Sequence, residues 1–317
     1  MSARVAVVGS LNMDLIVRTP RLPQLGETVI GGDFYTLEGG KGANQAVAAA
    51  RLGAQVAMVG RVGSDAFGQS LLDAIVAAGV DCTYVSRDTS AATGVALITV
   101  DDCGRNTIVV ALGANGRLSA TDVDAAEAIL ASADVLLLQL ESPLETVTRA
   151  AQISHAHGAR VILNPAPVRL LPSELLAAVD VLALNESETA FLTGNPVGNE
   201  EEAKEAAHAL LELGVDAIIL TLGERGALLA RREEGTSTPS TSHFPAFSVD
   251  PVDTTAAGDA FVAGLAVALA EGKPLYEAVR WGNAAGALAT TKIGAQPSLP
   301  WRTEVEKLLA EAIVKPV

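Results

Sequence analysis

Six short apolar runs recur along this chain: RVAVVG (4–9), QVAMVG (55–60), DVLLLQL (134–140), RVILN (160–164), DVLALN (180–185) and DAIILTLG (216–223). Such runs, with little polar alternation, suit strands covered on both faces, the environment that a helix-flanked parallel sheet supplies. Between them lie ANQAVAAARLG, AFGQSLLDAIVAAG, SPLETVTRAAQISHAHG, ESETAFLTG and NEEEAKEAAHALLELG, which have helical spacing and close on Gly, a frequent helix terminator. Three further helical segments follow Asp259. The expected fold class is α/β, with a central, mostly parallel, doubly wound sheet flanked by helices.

Two stretches break this rhythm. Residues 11–37 and 93–112 (TGVALITVDDCGRNTIVVAL) lack intervening helices and alternate like strands of an antiparallel ribbon. They predict a small antiparallel β lid attached to a single domain spanning 1–317. The lid would lie over the carboxyl ends of the parallel strands, where open α/β sheets bind ligands. REEGTSTPSTSHF (232–244) is the one internal segment where disorder is expected.

A formal charge of −15 opposes binding to a polyanion, and no basic stripe offsets it, which argues against nucleic acid and anionic membranes as partners. A small phosphorylated ligand stays possible, because a few backbone N–H groups, one cation or a metal can hold a phosphate locally. Cys82 and Cys103 are too few for a disulfide framework and too far apart for a CxxC motif. The apolar stretch in the N-terminal MSARVAVVGS is too short for a signal core and no uninterrupted span is long enough to cross a bilayer, so a cytoplasmic protein is expected. His155 and His157 stand two apart, on different faces of a helix, which disfavours a metal pair.

EGGKGANQAVAAARLGAQ (38–55) sets Gly39, Gly40 and Gly42 around Lys41. Glycines at that density let a ligand approach the main chain, and the helix start beyond them offers unpaired N–H donors. The spacing is not that of a phosphate-binding GxxxxGK[ST] loop, and no GxGxxG follows the first strand, where VVGSLNMD offers Gly9, Asn12 and Asp14. In TTAAGDAF (254–261), small side chains leave the backbone bare just before the apolar run AFVAGLAVALA. Asp259 stands at its head. A carboxylate there is ordinarily an N-terminal cap, and the helix terminus should favour its ionised form.

EGGKGANQAVAAARLG together with VDTTAAGDAFVAGL resembles the paired signatures of the ribokinase, or PfkB, family of carbohydrate kinases. The likeness continues through GSLNMD, LGETV, QLESPLETV, LNPAP, NESE, TLGERG and GAQPSLPW. The resemblance implies an ATP-dependent kinase acting on the terminal hydroxyl of a sugar, D-ribose at O5. It implies Asp259 as catalytic base and Ala256, Ala257 and Gly258 as an anion hole. The sugar site would comprise Asn12, Asp14, Gly40, Lys41, Gly42, Ala43, Asn44, Glu141 and Asp259, with Asp14 as a latch on bound sugar. Nucleotide contacts would come from Asn185, from Thr221, Leu222, Gly223, Glu224, Arg225 and Gly226, from Gly258 and Asp259, and from Asn283. Glu188, in the motif Asn185-x-x-Glu188, would be associated with Mg²⁺. Asp253, Thr255, Ala289, Lys292, Gly294 and Ser298 would hold a monovalent cation, K⁺. A homodimer through the lid is also implied. A kinase for another sugar or a nucleoside remains open, as does a non-catalytic sugar sensor, which would normally lack Asp259 or its preceding glycine.

Overall fold

In the computed structural model, which describes residues 2–232 and 239–314, successive side chains of each central strand enter two different cores. The strands are β1 (Arg4–Val8), β2 (Asn12–Thr19), β3 (Phe34–Gly39), β4 (Gln55–Gly63), β5 (Asp81–Asp88), β6 (Gly94–Asp101), β7 (Asn106–Ala111), β8 (Val135–Leu138), β9 (Arg160–Leu163), β10 (Val181–Asn185), β11 (Ala217–Thr221), β12 (Ala227–Arg231) and β13 (Ser240–Phe244). The helices are α1 (Lys41–Arg51), α2 (Ala66–Ala77), α3 (Ala120–Ala125), α4 (Glu127–Ser132), α5 (Leu144–Ala156), α6 (Ser173–Leu176), α7 (Glu186–Thr193), α8 (Glu200–Leu211), α9 (Ala257–Ala270), α10 (Leu275–Ala289) and α11 (Arg302–Val314).

The main sheet has the order β13-β12-β11-β10-β9-β8-β1-β4-β5 and is parallel from β11 through β5. Val5 and Val7, Val181 and Ala183, Ala217 and Ile219 face one core with α1, α9 and α10. Ala6 and Val8, Leu182 and Leu184, Ile218 and Leu220 face the other, with α5 and α8. This period of two is why the six runs read as apolar throughout. Three strands lie outside those runs. β5 at one edge is half-buried, and β12 and β13 close the opposite edge as an antiparallel pair. Within the segment where disorder is expected, Ser240–Phe244 form β13, and 233–238 lie outside the described residues.

Helix α9 explains the run AFVAGLAVALA. Every residue from Asp259 to Leu269 is buried, because the helix is enclosed between the sheet and α10. A helix in that position has no need of a polar face. Full burial of Phe261 or Leu265 stabilises by about 2–3 kcal/mol each. Asp259 therefore projects from an anchored element.

The second sheet has the order β3-β2-β6-β7. Its hairpins β2/β3 and β6/β7 are antiparallel, as expected, but they join through a parallel pair running from Asn12 opposite Gly94 to Thr19 opposite Asp101. The reason is connectivity: β2 follows the carboxyl end of β1 and β6 follows that of β5, so both leave the main sheet in the same direction. All of β7 is exposed. No helix among the described residues is long and apolar enough to cross a membrane.

Candidate active site

The strand order reverses at β1, which pairs with β8 on one side and β4 on the other. Such a switch point opens a crevice at the carboxyl ends of the strands. Into it come Asn12 and Asp14 after β1, Glu141 after β8, Asn164 after β9, Asn185 from β10 and Thr221 from β11.

Glu141, buried, ties one side of this crevice together. Its Oε2 accepts from the Ser10 hydroxyl, from Asn12 Nδ2 at 3.3 Å and from the Lys41 backbone N–H at 3.2 Å, so the start of α1 seats a carboxylate of the protein itself. The glycines around Lys41 allow this approach. A Cβ on Gly40, whose φ is +92°, would stand 2.5 Å from Asn12 N, one on Gly42 would stand 2.6 Å from Ser10 N, and one on Gly39 would stand 2.4 Å from the Asp14 carboxylate. The space expected to admit a ligand is thus filled by the β1–β2 connection, which brings Asn12, Asp14 and Lys41 into one place. Gly42 and Ala43 lie beneath the site, their N–H groups donating to Ser10 at 3.4 and 2.9 Å.

Asp259 is not a helix cap. Ala256 holds the N-cap position and its side chain makes no capping bond. The Asp259 carboxylate, buried, accepts from Asn44 Nδ2 at Oδ2 and from Gln45 Nε2 at Oδ1, both at 3.0 Å. Burial raises its proton affinity more than Lys41, Asn44 and Gln45 lower it. The expectation that the helix terminus favours ionisation is therefore corrected: desolvation wins. The same imbalance raises Asp14 to about 7, through burial and then the charges of Glu141 and Asp259, against Lys41. For Lys41 burial acts downward, and Asp259, Glu141, Glu188 and Asp14 together outweigh it to keep the ammonium charged.

Ala256 is the only non-glycine with positive φ (59°) among the described residues, a conformation that costs an L-residue about 1–2 kcal/mol. It turns the chain into α9. Ala257 N–H folds back onto Thr254 C=O at 3.2 Å, whereas the N–H groups of Ala256, Gly258 and Asp259 have no protein acceptor among the described residues. Nothing lies within 4 Å of where a Gly258 Cβ would stand. Bare donors at the head of a long helix face open space, an arrangement suited to an anion. The cavity before them is lined by Lys41, Asn185, Glu188, Thr221, Ala256, Gly258 and Asp259 among the expected residues, and also by Asn164, Ala166 and Thr254.

Other expected residues have protein partners. Asn185 and Glu188 form a reciprocal capping box on α7, in which Glu188 N–H donates to Asn185 Oδ1 at 2.8 Å and Asn185 N–H to Glu188 Oε2 at 2.9 Å. Leu222 is buried, and Glu224 lies in the turn between β11 and β12. Gly226 is required by β13, since a Cβ there would meet Phe244 O at 2.0 Å, while space around Gly223 is open. The Arg225 guanidinium is paired with Glu186. Asn283 Nδ2 donates to Phe244 O at 3.2 Å. Of the residues expected around K⁺, Asp253 accepts from Thr255 N–H and Gly294 N–H, both at 2.9 Å, and Ser298 donates to Ala295 O at 2.8 Å. Lys292 turns to Glu304 at 2.9 Å, and Ala289 is buried at the end of α10.

Sequence reasoning passed over Ser10, Gln45, Asn115, Gln139 and Asn164. Polar residues at or just beyond the ends of apolar strands are a usable signal for Ser10, Gln139 and Asn164. Asn115, on a turn 104 residues from its Leu11 partner, offers none.

A carboxylate at the head of a buried helix, beside bare N–H donors and a cluster of buried carboxylates and amides, is an arrangement that suits phosphoryl transfer to an alcohol. The description pfkB family carbohydrate kinase matches residues 2–302. The chain is 42% identical over 312 residues to a ribokinase of Haemophilus influenzae, covering 98% of this chain and 100% of that protein. It is 38% identical to a deoxyribokinase of Salmonella typhi, covering 93% and 95%. The structure of Arabidopsis thaliana ribokinase complexed with ribose and ATP superposes with a TM-score of 0.86 at 36% identity, covering 98% of this chain and 99% of that one. The chain belongs to the pfkB family of carbohydrate kinases.

Proposed function

We propose that this protein transfers the γ-phosphoryl group of ATP to O5 of D-ribose, giving D-ribose 5-phosphate and ADP. The observation that carries the reading is the adjacency of Asp259 to the free N–H groups of Gly258 and Asp259. The sugar lies over Glu141, Asn12, Asp14, Gly40, Lys41 and Asn44. The buried Asn44 Oδ1 has no partner among the described residues, so a sugar hydroxyl would satisfy it. The O5–H bond points to the Asp259 carboxylate, the O5–P bond forms as the bond to the β-phosphate oxygen breaks, and the proton passes to Asp259. The N–H donors and the Lys41 ammonium stabilise charge on the transferring group. Asn185, Thr221 and the following turn hold the nucleotide, with Asn283 toward the base.

Glu188 suits a Mg²⁺ carried with the nucleotide, which supplies charge neutralisation across the phosphates. Its half-buried carboxylate lines the cavity, and burial raises its proton affinity more than the Asn185 N–H and Lys41 lower it, so a bound cation would favour its ionised form. The loops carrying Asp253 and Gly294 are bonded together and offer a carboxylate and carbonyl oxygens, the donor set a K⁺ ion takes. We also assign a homodimer through the lid, supported by the exposed Leu97 and Val109, which lie opposite one another on one face of it. The test is to incubate the protein with ATP, Mg²⁺, K⁺ and a panel of pentoses, hexoses and nucleosides and to measure ADP. 2-Deoxyribose belongs in the panel because of the deoxyribokinase relative. Fastest turnover with ribose is expected, and none with any acceptor would turn the reading into that of a sugar-sensing protein.

A further inference from the structure

Beneath Asp259 the buried amides of Gln45 and Gln139, neither of which lines the open cavity, join to Asn164, which does. Gln45 Nε2 donates to Asp259 Oδ1 at 3.0 Å and to Asn164 Oδ1 at 3.3 Å, and Gln45 Oε1 accepts from Gln139 Nε2. Gln45 and Gln139 are both fully buried. An amide can be turned over at little steric cost, so what matters here is what forbids the turned state. Asn164 Nδ2 donates to Ala183 O at 3.0 Å, which leaves its oxygen facing Gln45. Gln45 must therefore present its NH₂ to Asn164 and Asp259, and its oxygen to Gln139. Gln139 must in turn present its NH₂ to Gln45. Gly9 makes room for this, since a Cβ there would stand 2.1 Å from Gln139 Oε1.

We propose that Gln139 and Gln45 form a positioning relay that locks a hydrogen-bond donor onto Asp259, holding the base ionised and aimed while it waits for the sugar hydroxyl. The relay rests on the kinase reading above. Its physical content is a contest: burial drives the carboxylate toward the neutral form, and the two amide donors, Asn44 and Gln45, oppose that with Lys41. The charged groups facing Asp259 are Lys41 at the start of α1, Glu141 after β8, Asp14 on β2 and Glu188 on α7. Three of these four are carboxylates, which favour protonation, so a fixed donor has a task that solvent cannot perform at a buried site. Gln139 acts one residue removed: its NH₂ satisfies the Gln45 oxygen, and without it that buried oxygen has no donor, so the Gln45 amide is held less firmly on the carboxylate.

The experiment compares wild type with Gln45→Leu and Gln139→Leu by the pH dependence of kcat/KM for ribose. Loss of one donor is expected to move the acid limb up by about one pH unit, a tenfold change in the ionised fraction on that limb. Gln45→Leu should lose turnover at neutral pH, recover much of it at alkaline pH, and change KM for ribose less than twofold. Gln139→Leu, which does not touch the base, should shift the limb the same way by a smaller amount. Superposed profiles, or a loss uniform across pH, would overturn the relay. The ¹³C titration of the Asp259 carboxyl in the folded wild type and Gln139→Leu gives a readout independent of turnover, and an unmoved titration would also overturn it. If the wild type turns over no acceptor, the kinase reading fails and the carboxyl titration still decides the relay.

Discussion

Asn115 donates from Nδ2 to the Asn12 side-chain oxygen at 2.8 Å, and it brackets the Leu11 peptide with one bond to N–H and one to C=O, both at 2.9 Å. The Asn12 amide is thereby forced to point its NH₂ at Glu141, so a turn outside the site sets the orientation of a residue within it. Asn115→Ala leaves a buried peptide and a buried amide oxygen without partners. It should cost about 3 kcal/mol of stability, read by urea unfolding, and raise KM for ribose more than it lowers kcat. A stability change under about 1 kcal/mol would contradict this bracket.

Gly258→Ala separates folding from phosphate binding. No atom lies within 4 Å of the new Cβ, so the fold has room for it. Ala in a helix is favoured over Gly by up to about 1 kcal/mol, and the variant should melt at or above the wild-type temperature. The methyl group nevertheless stands beside the donors meant for phosphate oxygens, and kcat/KM for ATP should fall at least about tenfold. Wild-type turnover in a stable Gly258→Ala would remove the helix head from the phosphate site.

Asp259→Asn keeps the shape of the side chain and removes the proton acceptor. A loss of about 10² to 10⁴ in kcat is expected, with ribose binding by calorimetry retained. Near-normal turnover would place the acceptor elsewhere.

Asp14 has a folded pKa of about 7, above its unfolded value of 3.8. The folded protein therefore binds this proton more tightly than the unfolded chain does. The stability associated with it is complete below pH 4 and is lost as pH rises through 7. Asp14→Asn should match wild type near pH 4 and be more stable above pH 8 by on the order of 2 kcal/mol, with weaker ribose binding. Equal stability at both pH values would show that the carboxylate carries no such penalty.

Glu188→Gln can still accept the Asn185 N–H bond, so its capping of α7 is preserved. Stability should stay within about 0.5 kcal/mol, while the Mg²⁺ concentration for half-maximal turnover rises several-fold. An unchanged Mg²⁺ requirement would leave Glu188 as a cap alone.

Much of the scaffold was legible because strand burial and helix amphipathicity are local patterns. The six apolar runs became six parallel strands, and AFVAGLAVALA became a buried helix. β5 and β13 were less visible, since edge strands are only half covered and their residues are mixed, and β12 is a largely buried run of five residues that directly follows the Gly223–Gly226 turn. The lid's two hairpins were readable from alternation. Their parallel junction was not, because it follows from where β1 and β5 end relative to one another. In the site, the motifs located Asp259, Lys41, Asn44 and Glu188, but the glycines around Lys41 meet the β1–β2 connection where a ligand was expected.

The order of apolar runs, helical segments and small-residue turns decided by itself that this chain would form a helix-flanked parallel sheet with a carboxylate at a bare helix head, because those choices depend on neighbours a few residues apart. Tertiary structure alone decided which way each buried amide points, which carboxylates crowd Lys41, and that desolvation outweighs the helix terminus at Asp259. Those outcomes come from contacts between residues distant in sequence, such as Asn44 and Gln45 with Asp259 and Asn12 with Glu141. Charge and hydrogen-bond energies there are set by burial, which no short stretch of sequence contains.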